Sequence, residues 1–279
     1  MISGTYPDAD AEPPIAWKES APVRSTRPDA DREPPVHDHD APHASRTPLM
    51  EFRDFCFAYD DEPVLSHIDL SIAIGDSAVL MGDNGSGKST LLRAMNGLVF
   101  AQRGSYRFDG VEVDARAMKD ASFAKRLHQR VGFVFQDSDA QLFCSSVEDE
   151  IAFGPRQMGL SEAETARRVD DACSMMGLDR LRSRAPYHLS GGEKKKVAIA
   201  CIMSMNPDAY CFDEPLNGLD RKTRRWLLGF FKELKAAGKT LVIATHDQSL
   251  ADEVADYFVY MGAMHGYVDA PHVHINTRA

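Results

Sequence analysis

Nine consecutive residues, Gly82-Asp83-Asn84-Gly85-Ser86-Gly87-Lys88-Ser89-Thr90, carry the most direct chemical signal in this 279-residue chain. From Gly82 to Ser89 they satisfy G-x-x-x-x-G-K-[ST] in full, between the apolar stretch Ser77–Met81, which reads as a strand, and a predicted helix. Three glycines let the backbone curl so that successive N–H groups converge, at a helix start whose dipole favours anions. Lys88 is then placed to reach the β- and γ-phosphates of a nucleoside triphosphate, and Ser89 to offer its hydroxyl to Mg²⁺. A second constellation closes the segment Ala209–Glu214 (AYCFDE), where four mostly apolar residues end in two carboxylates. An Asp-Glu pair after a strand is by itself only a loop or a helix cap. Beside a phosphate loop, Asp213 suits the Mg²⁺ shell, and Glu214 can orient and deprotonate an attacking water.

Four further motifs complete a set: Leu189–Glu193 (LSGGE), Gln136 after VGFVF, Asp220 in NGLD, and His246 after LVIAT. In order and interval they make residues 49–265 resemble the ABC-type ATPases. The resemblance implies a role for each. Tyr59 matches an aromatic that stacks on adenine, and Gln136 would touch Mg²⁺ and the water. Ser190, Gly191 and Gly192 would cradle the γ-phosphate bound to a second copy, since two chains of this family sandwich two ATP molecules. Asp220 would lie in the loop crossing that interface. His246 would hydrogen-bond the γ-phosphate and hold Glu214 and the water in line. Tyr59 as a core aromatic and His246 as a satisfied loop histidine are the plainer alternatives.

Residues 136–160 (QDSDAQLFCSSVEDEIAFGPRQMGL) carry a finer resemblance, to the ATPases of energy-coupling-factor (ECF) transporters, importers of vitamins, cobalt and nickel. There this region forms a groove for a transmembrane coupling protein, which works with a separate substrate-capture protein. Gln141, Leu142 and Phe143 are the candidates for that contact, or else local packing. The ATPase would then sit at the cytoplasmic face of the cell membrane. Two departures stand out. The usual T-x-G-L-D is Leu216-Asn217-Gly218-Leu219-Asp220 here, without the threonine, and little chain follows the last predicted strand. The second leaves no room for the C-terminal helical extension of many ECF ATPases and favours a homodimer. A conventional ABC transporter ATPase shares the same chemistry. A soluble ABC protein acting on ribosomes or DNA would be expected to have two cassettes or a coiled-coil insertion.

The elements that must position these groups follow from periodicity. Met50–Tyr59 and His67–Ile74 alternate like half-buried strands, Ser105–Val113 reads as a strand pair turning at Asp109-Gly110, and Val131–Phe135 is a further short strand. Ser161 and Glu164 form an expected capping box for a helix to Met176, with Ala163, Ala166, Val169, Cys173 and Met176 as its apolar stripe. Ser190 and Glu193 repeat the box for a helix stopping before Asn206-Pro207. Then come a strand (209–212), a helix (221–237), a strand (240–245), and a last helix and strand (257–261). Strand–helix alternation predicts an α/β fold with a parallel sheet. An antiparallel β subdomain and a small helical subdomain, about 137–189, complete the expected architecture.

Composition sets the outer bounds. The chain is 43% hydrophobic, with 32 Lys+Arg against 42 Asp+Glu, and a formal charge of −10 gives no cation excess for a nucleic-acid backbone. Five cysteines form no C-x-x-C pair and read as reduced, mostly buried thiols. The longest apolar run, Val197–Met203, is far short of the ~20 residues that span a bilayer. Residues 1–48 hold nine of the fifteen prolines and nine acidic residues, and are expected to be a disordered leader. Its His37, His39 and His43, like His272 and His274 near the other end, read as solvated tail residues rather than metal ligands. Lys194–Lys196 likewise read as a solvated helix start.

Overall fold

The computed structural model describes residues 47–263 and 271–277, so the leader's histidines lie outside the described residues. The described residues open with a long hairpin, β1 (Pro48–Tyr59) and β2 (Glu62–Ala73), turning through Asp60 and Asp61. After β3 (Ser77–Met81) and helix α1 (Lys88–Met95), strands β4 (Arg103–Phe108) and β5 (Val111–Glu112) return to it. Together they make an antiparallel sheet of order β2-β1-β4-β5. Asp109 and Gly110, both at positive φ, form the predicted turn between β4 and β5.

Helix α2 (Ala121–Arg130) and strand β6 (Val131–Val134) lead into the helices α3 (Val147–Met158), α4 (Glu162–Met176) and α5 (Gly191–Met205). Then follow β7 (Ala209–Asp213), α6 (Arg221–Ala236), β8 (Thr240–Ala244), α7 (Gln248–Val254), β9 (Tyr257–Ala263) and β10 (Pro271–Thr277). The second sheet runs β10-β9-β3-β8-β7-β6, parallel throughout except for β10. That last strand is a correction: residues 271–277, expected as a solvated tail, pair antiparallel with β9.

Strands β3, β6, β7 and β8 are buried at every position, as expected for a parallel sheet covered on both faces. Their two-residue period divides the core. Val79, Tyr210, Phe212, Leu241 and Ile243 face the cluster built by α3 to α7. Ala78, Leu80, Cys211, Val242 and Ala244 face α1, α2 and the antiparallel sheet. Phe52 stacks on Tyr106 there, ring centres 4.3 Å apart. The cysteines are free thiols, with Cys56, Cys173 and Cys211 fully buried.

Three local expectations need correcting. In α4 the buried face is Thr165, Val169, Ala172, Cys173 and Met176, while Ala163 and Ala166 are exposed. At 100° per residue Ala163 lies about 120° from Val169, outside any single stripe. The Ser161 hydroxyl accepts from Glu164 N–H as predicted, but the Glu164 carboxylate turns to Arg167 and Arg168 instead of closing the box. At Ser190 and Glu193 both arms are present. Helices α2 and α3 have no counterpart in the periodicity reading. Pro155 inside α3 looks like a breaker, yet the Ile151 carbonyl, which a proline cannot satisfy, accepts from the Ser204 hydroxyl at 3.0 Å.

Candidate functional site

Strand β3 delivers the chain into the phosphate loop, and the loop's shape depends on its glycines. Gly82, at φ +151°, leaves no room for a side chain, since a Cβ there would lie 2.0 Å from the Met261 carbonyl oxygen. Gly87 at φ +91° sits under Leu65 and Val64 at the start of α1. Lys88 is buried, its ammonium donating to the carbonyls of Gly82 at 2.6 Å and Asp83 at 2.8 Å. The lysine thus braces the loop that surrounds it.

Parallel strands bring the other groups to the same end of the sheet, as expected at the carboxyl edge of an α/β fold. Asp213 closes β7 and is buried, which pushes its carboxyl above the ordinary range, while a hydrogen bond with Ser89 opposes the shift. Its Oδ1 has no hydrogen-bond partner. A buried, unsatisfied carboxylate oxygen beside a hydroxyl is an all-oxygen donor set that suits Mg²⁺. Glu214 is held at φ +43°, a costly conformation for a residue with a side chain, and is 6% exposed. Its main-chain N–H donates to Ala244 at 2.9 Å, and its Oε1 lies 2.9 Å from His246 Nδ1. His246 is more than half exposed, so one ring edge meets Glu214 while the rest faces the opening.

Asn84 to Thr90, Gln136, Glu214 and His246 line a cleft of about 440 Å³, while Gly82, Asp83 and the buried Asp213 adjoin it without lining it. Val64 and Asn217 also line it. Neither was foreseen, although Asn217 belongs to the NGLD loop whose departure from T-x-G-L-D the sequence shows.

Ser190, Gly191, Gly192 and Asp220 fall outside this cleft and form a second group. Ser190 caps α5, its hydroxyl and N–H both bound by Glu193, whose carboxyl that pairing holds below the usual range. Asp220 caps α6 through the N–H groups of Lys222 and Thr223. A Cβ on Gly192 would meet the Thr223 hydroxyl at 3.1 Å, so the two helix starts are packed together. Tyr59 ends β1 at 40% exposure, with its hydroxyl accepting from Arg93 at 3.1 Å. That exposure rules out a core aromatic.

The lysine run after LSGGE is not solvated. Lys194 pairs with Asp139, and Lys196 lies over the Trp226 ring at 4.6 Å. Lys195 is 3% exposed, and burial pushes its ammonium down to about 8. The signal was present, because Lys195 precedes the buried Ile199 and Ile202 at helical spacing. Elsewhere Asp54, Cys56 and His67 cluster at a bulge of β1, but Asp54 is held by His67 and Arg103, and burial raises the Cys56 thiol. That knot is a structural brace of the hairpin.

A groove of about 450 Å³ lies beside α3, lined by Phe143, Phe153, Met158, Gln141 and Met205 among others. Phe143 is 68% exposed and meets Phe153 edge to face at 5.0 Å. Leu142 packs against the helical core, so for that residue the packing alternative holds. Buried Glu150 accepts from the N–H groups of Phe143 and Cys144 and anchors the segment. Among the described residues no helix is long and apolar enough to cross a membrane.

A family profile for ABC transporters matches residues 65–217. A nickel import ATP-binding protein, LarO, of Lactiplantibacillus plantarum is 42% identical over 222 residues, 80% of this chain and 92% of its own. The energy-coupling factor transporter ATP-binding protein EcfA2 of Methanospirillum hungatei is 40% identical over 77% of this chain and 53% of its own. The structure of cbiO1 from Clostridium perfringens, part of the ABC transporter complex cbiONQ, superimposes with a TM-score of 0.68. It is 32% identical, over 76% of this chain and 84% of that one. With a complete phosphate loop, paired carboxylates and these relatives, the chain belongs to the ABC transporter ATP-binding family and is an ATPase.

Proposed function

We propose that this chain is the ATPase subunit of an ECF-type importer that moves a vitamin or a transition-metal ion through separate membrane subunits. The observation carrying this reading is the aromatic groove at Phe143 and Phe153, on the segment that resembles the ECF ATPases. The names of the nickel importer, EcfA2 and cbiO1 relatives support it. Such a groove gives a helix of a membrane partner an apolar seat.

In this proposal two copies face each other, with the Ser190–Gly192 turn of each closing the cleft of its partner. The separation of that turn from the cleft supports a paired assembly. Lys88 and the N–H groups of residues 85–90 hold the phosphates, Tyr59 meets the adenine, and Asp220 lies in the crossing loop. Ser89, Gln136 and Asp213 would hold Mg²⁺, which when bound neutralises charge on the β- and γ-phosphates. Glu214 takes a proton from water as its oxygen attacks the γ-phosphorus, the bond to the bridging oxygen breaks, and ADP leaves with that electron pair. His246 keeps the Glu214 carboxylate aimed through the 2.9 Å contact.

The test is purification of the tagged chain from its host's membranes in mild detergent. Two polytopic partners, one a small cargo-binding protein, are expected, and Phe143→Asp should lose both while its basal ATPase rate persists. One conventional permease pair would shift the assignment to an ordinary ABC transporter, and soluble partners or nucleic acid alone would end the transport reading.

A further inference from the structure

Lys195 does not line the cleft, yet it holds one of the cleft's walls. The last pair in the β6–β7 ladder is Val134 with Phe212, so the chain beyond leaves the sheet. Phe135 and Gln136 therefore need donors for their carbonyls from elsewhere. Lys195 supplies both, with Nζ 3.0 Å from the Phe135 oxygen and 2.9 Å from the Gln136 oxygen. The Gln141 side chain accepts from Phe135 N–H at 3.1 Å and closes the same loop from its far side. Gln136 itself is exposed and reaches the cleft only if its backbone is fixed.

We infer that Lys195 is a positioning residue for ATP hydrolysis, its ammonium clasping the Phe135 and Gln136 carbonyls. It thereby ties the loop that presents Gln136 to the helix that begins at the Ser190–Gly192 turn. The chemistry of the position supports a purpose beyond packing. Among the described residues its hydrogen bonds go to these two neutral carbonyls, while Asp213 and Asp137 favour the ammonium only through their charge, without an ion-pair contact. Such burial is unfavourable compared with an apolar residue of the same length. One side chain thus links the loop that serves the chain's own cleft to the turn assigned above to a partner's nucleotide. The inference rests on the reading of Gln136 as a group that acts in the cleft.

The test compares Lys195→Met, Lys195→Gln and Gln136→Ala with the unaltered chain, using Lys232→Ala, an exposed lysine on α6, as a surface control. Lys195→Met keeps length and removes the donors, whereas Lys195→Gln keeps two N–H donors. We expect Lys195→Met to lower kcat roughly 10- to 100-fold, the scale on which a displaced positioning group acts. Its KM for ATP and its affinity for a non-hydrolysable ATP analogue should stay within about threefold, since the phosphate loop is untouched. Hydrogen exchange at amides 136–138 should quicken at least tenfold with the rest of the chain unchanged, and Lys195→Gln should restore most of both losses. A wild-type kcat in Lys195→Met with an impaired Gln136→Ala would overturn the role of Lys195 alone. A wild-type kcat in Gln136→Ala would overturn the reading of Gln136, and the inference with it. Equal loss of kcat, nucleotide affinity and melting temperature in both Lys195 variants would also overturn it, by showing a packing role only.

Discussion

Gly82 and Gly85 stand three residues apart in one loop and share a positive φ, yet a methyl group at the two positions should have very different costs. At Gly82 the new carbon would lie 2.0 Å from the Met261 carbonyl oxygen and 2.8 Å from the Ser86 hydroxyl. The first neighbour is backbone in β9, which is paired with β3, so no side-chain rotation relieves the clash. The loop must shift by an ångström or more, or the ladder must open. At Gly85, φ +85°, nothing lies within 4 Å. Gly85→Ala therefore carries only the conformational penalty, about 1–2 kcal/mol. Gly82→Ala adds an overpacking term and should total about 3–5 kcal/mol. At about 2–4 °C per kcal/mol for a domain of this size, Gly82→Ala should melt roughly 10 °C below the parent and Gly85→Ala about 4 °C below. Because the Gly82 carbonyl also accepts from Lys88, titration with a fluorescent ATP analogue should show weaker binding for the first variant. Equal melting shifts, or a larger one for Gly85→Ala, would refute the packing reasoning.

Three further outcomes are expected. Glu214→Gln should keep ATP binding and lose hydrolysis by roughly 10²–10⁴-fold, as removal of a general base does; an unchanged turnover rate would take Glu214 out of the reaction. Cys144, only half-buried, has its thiol pushed up to about 11 by burial and by the Glu150 carboxylate. Only about one thiol in a thousand is then ionised at pH 8, so alkylation followed by mass spectrometry should be slow. Glu150→Gln should quicken it, and equal rates would show that the charge of Glu150 does not reach the sulfur. Chelation of Mg²⁺ by EDTA should abolish phosphate release and leave nucleotide binding largely intact; turnover persisting in EDTA would remove Asp213 and Ser89 from a metal site.

The cleft was legible because its residues are tied to main-chain shapes that few sequences can make. Gly82, Gly85 and Gly87 announce positive φ, and Asp213-Glu214 ends a run of apolar residues that only a buried strand explains. The gaps have physical causes too. Helix α3 hides behind Pro155, whose cost is offset by Ser204 from α5, a contact between residues far apart in sequence. The stripe of α4 goes astray at Ala163 and Ala166 because alanine is tolerated on either face, and the buried Thr165 carries no apolar signal. Lys195 was hidden by composition, three lysines in a row suggesting water where the helix turns the middle one inward. Pairing of residues 271–277 with β9 depends on a partner strand and not on any local pattern.

The strand order has a consequence for synthesis. β8 lies between β3 and β7, yet it is made after both. Until residues 240–244 leave the ribosome, β3 and β7 have no common neighbour, and each keeps an open edge of mostly apolar sequence, SAVLM and AYCFD. Such edges are templates for pairing with other chains. A nascent chain stopped before β8 therefore holds the β6–β7 pair with the carboxylates and, apart from it, a β3 that leads into the phosphate loop with no partner in this sheet, since β9 also comes later. Nucleotide cannot help it fold, because the ligand's two halves of contact do not yet share a frame. The centre of this sheet is among the last pieces to arrive, and a quality-control protease would find its best substrate in a chain stopped just short of β8.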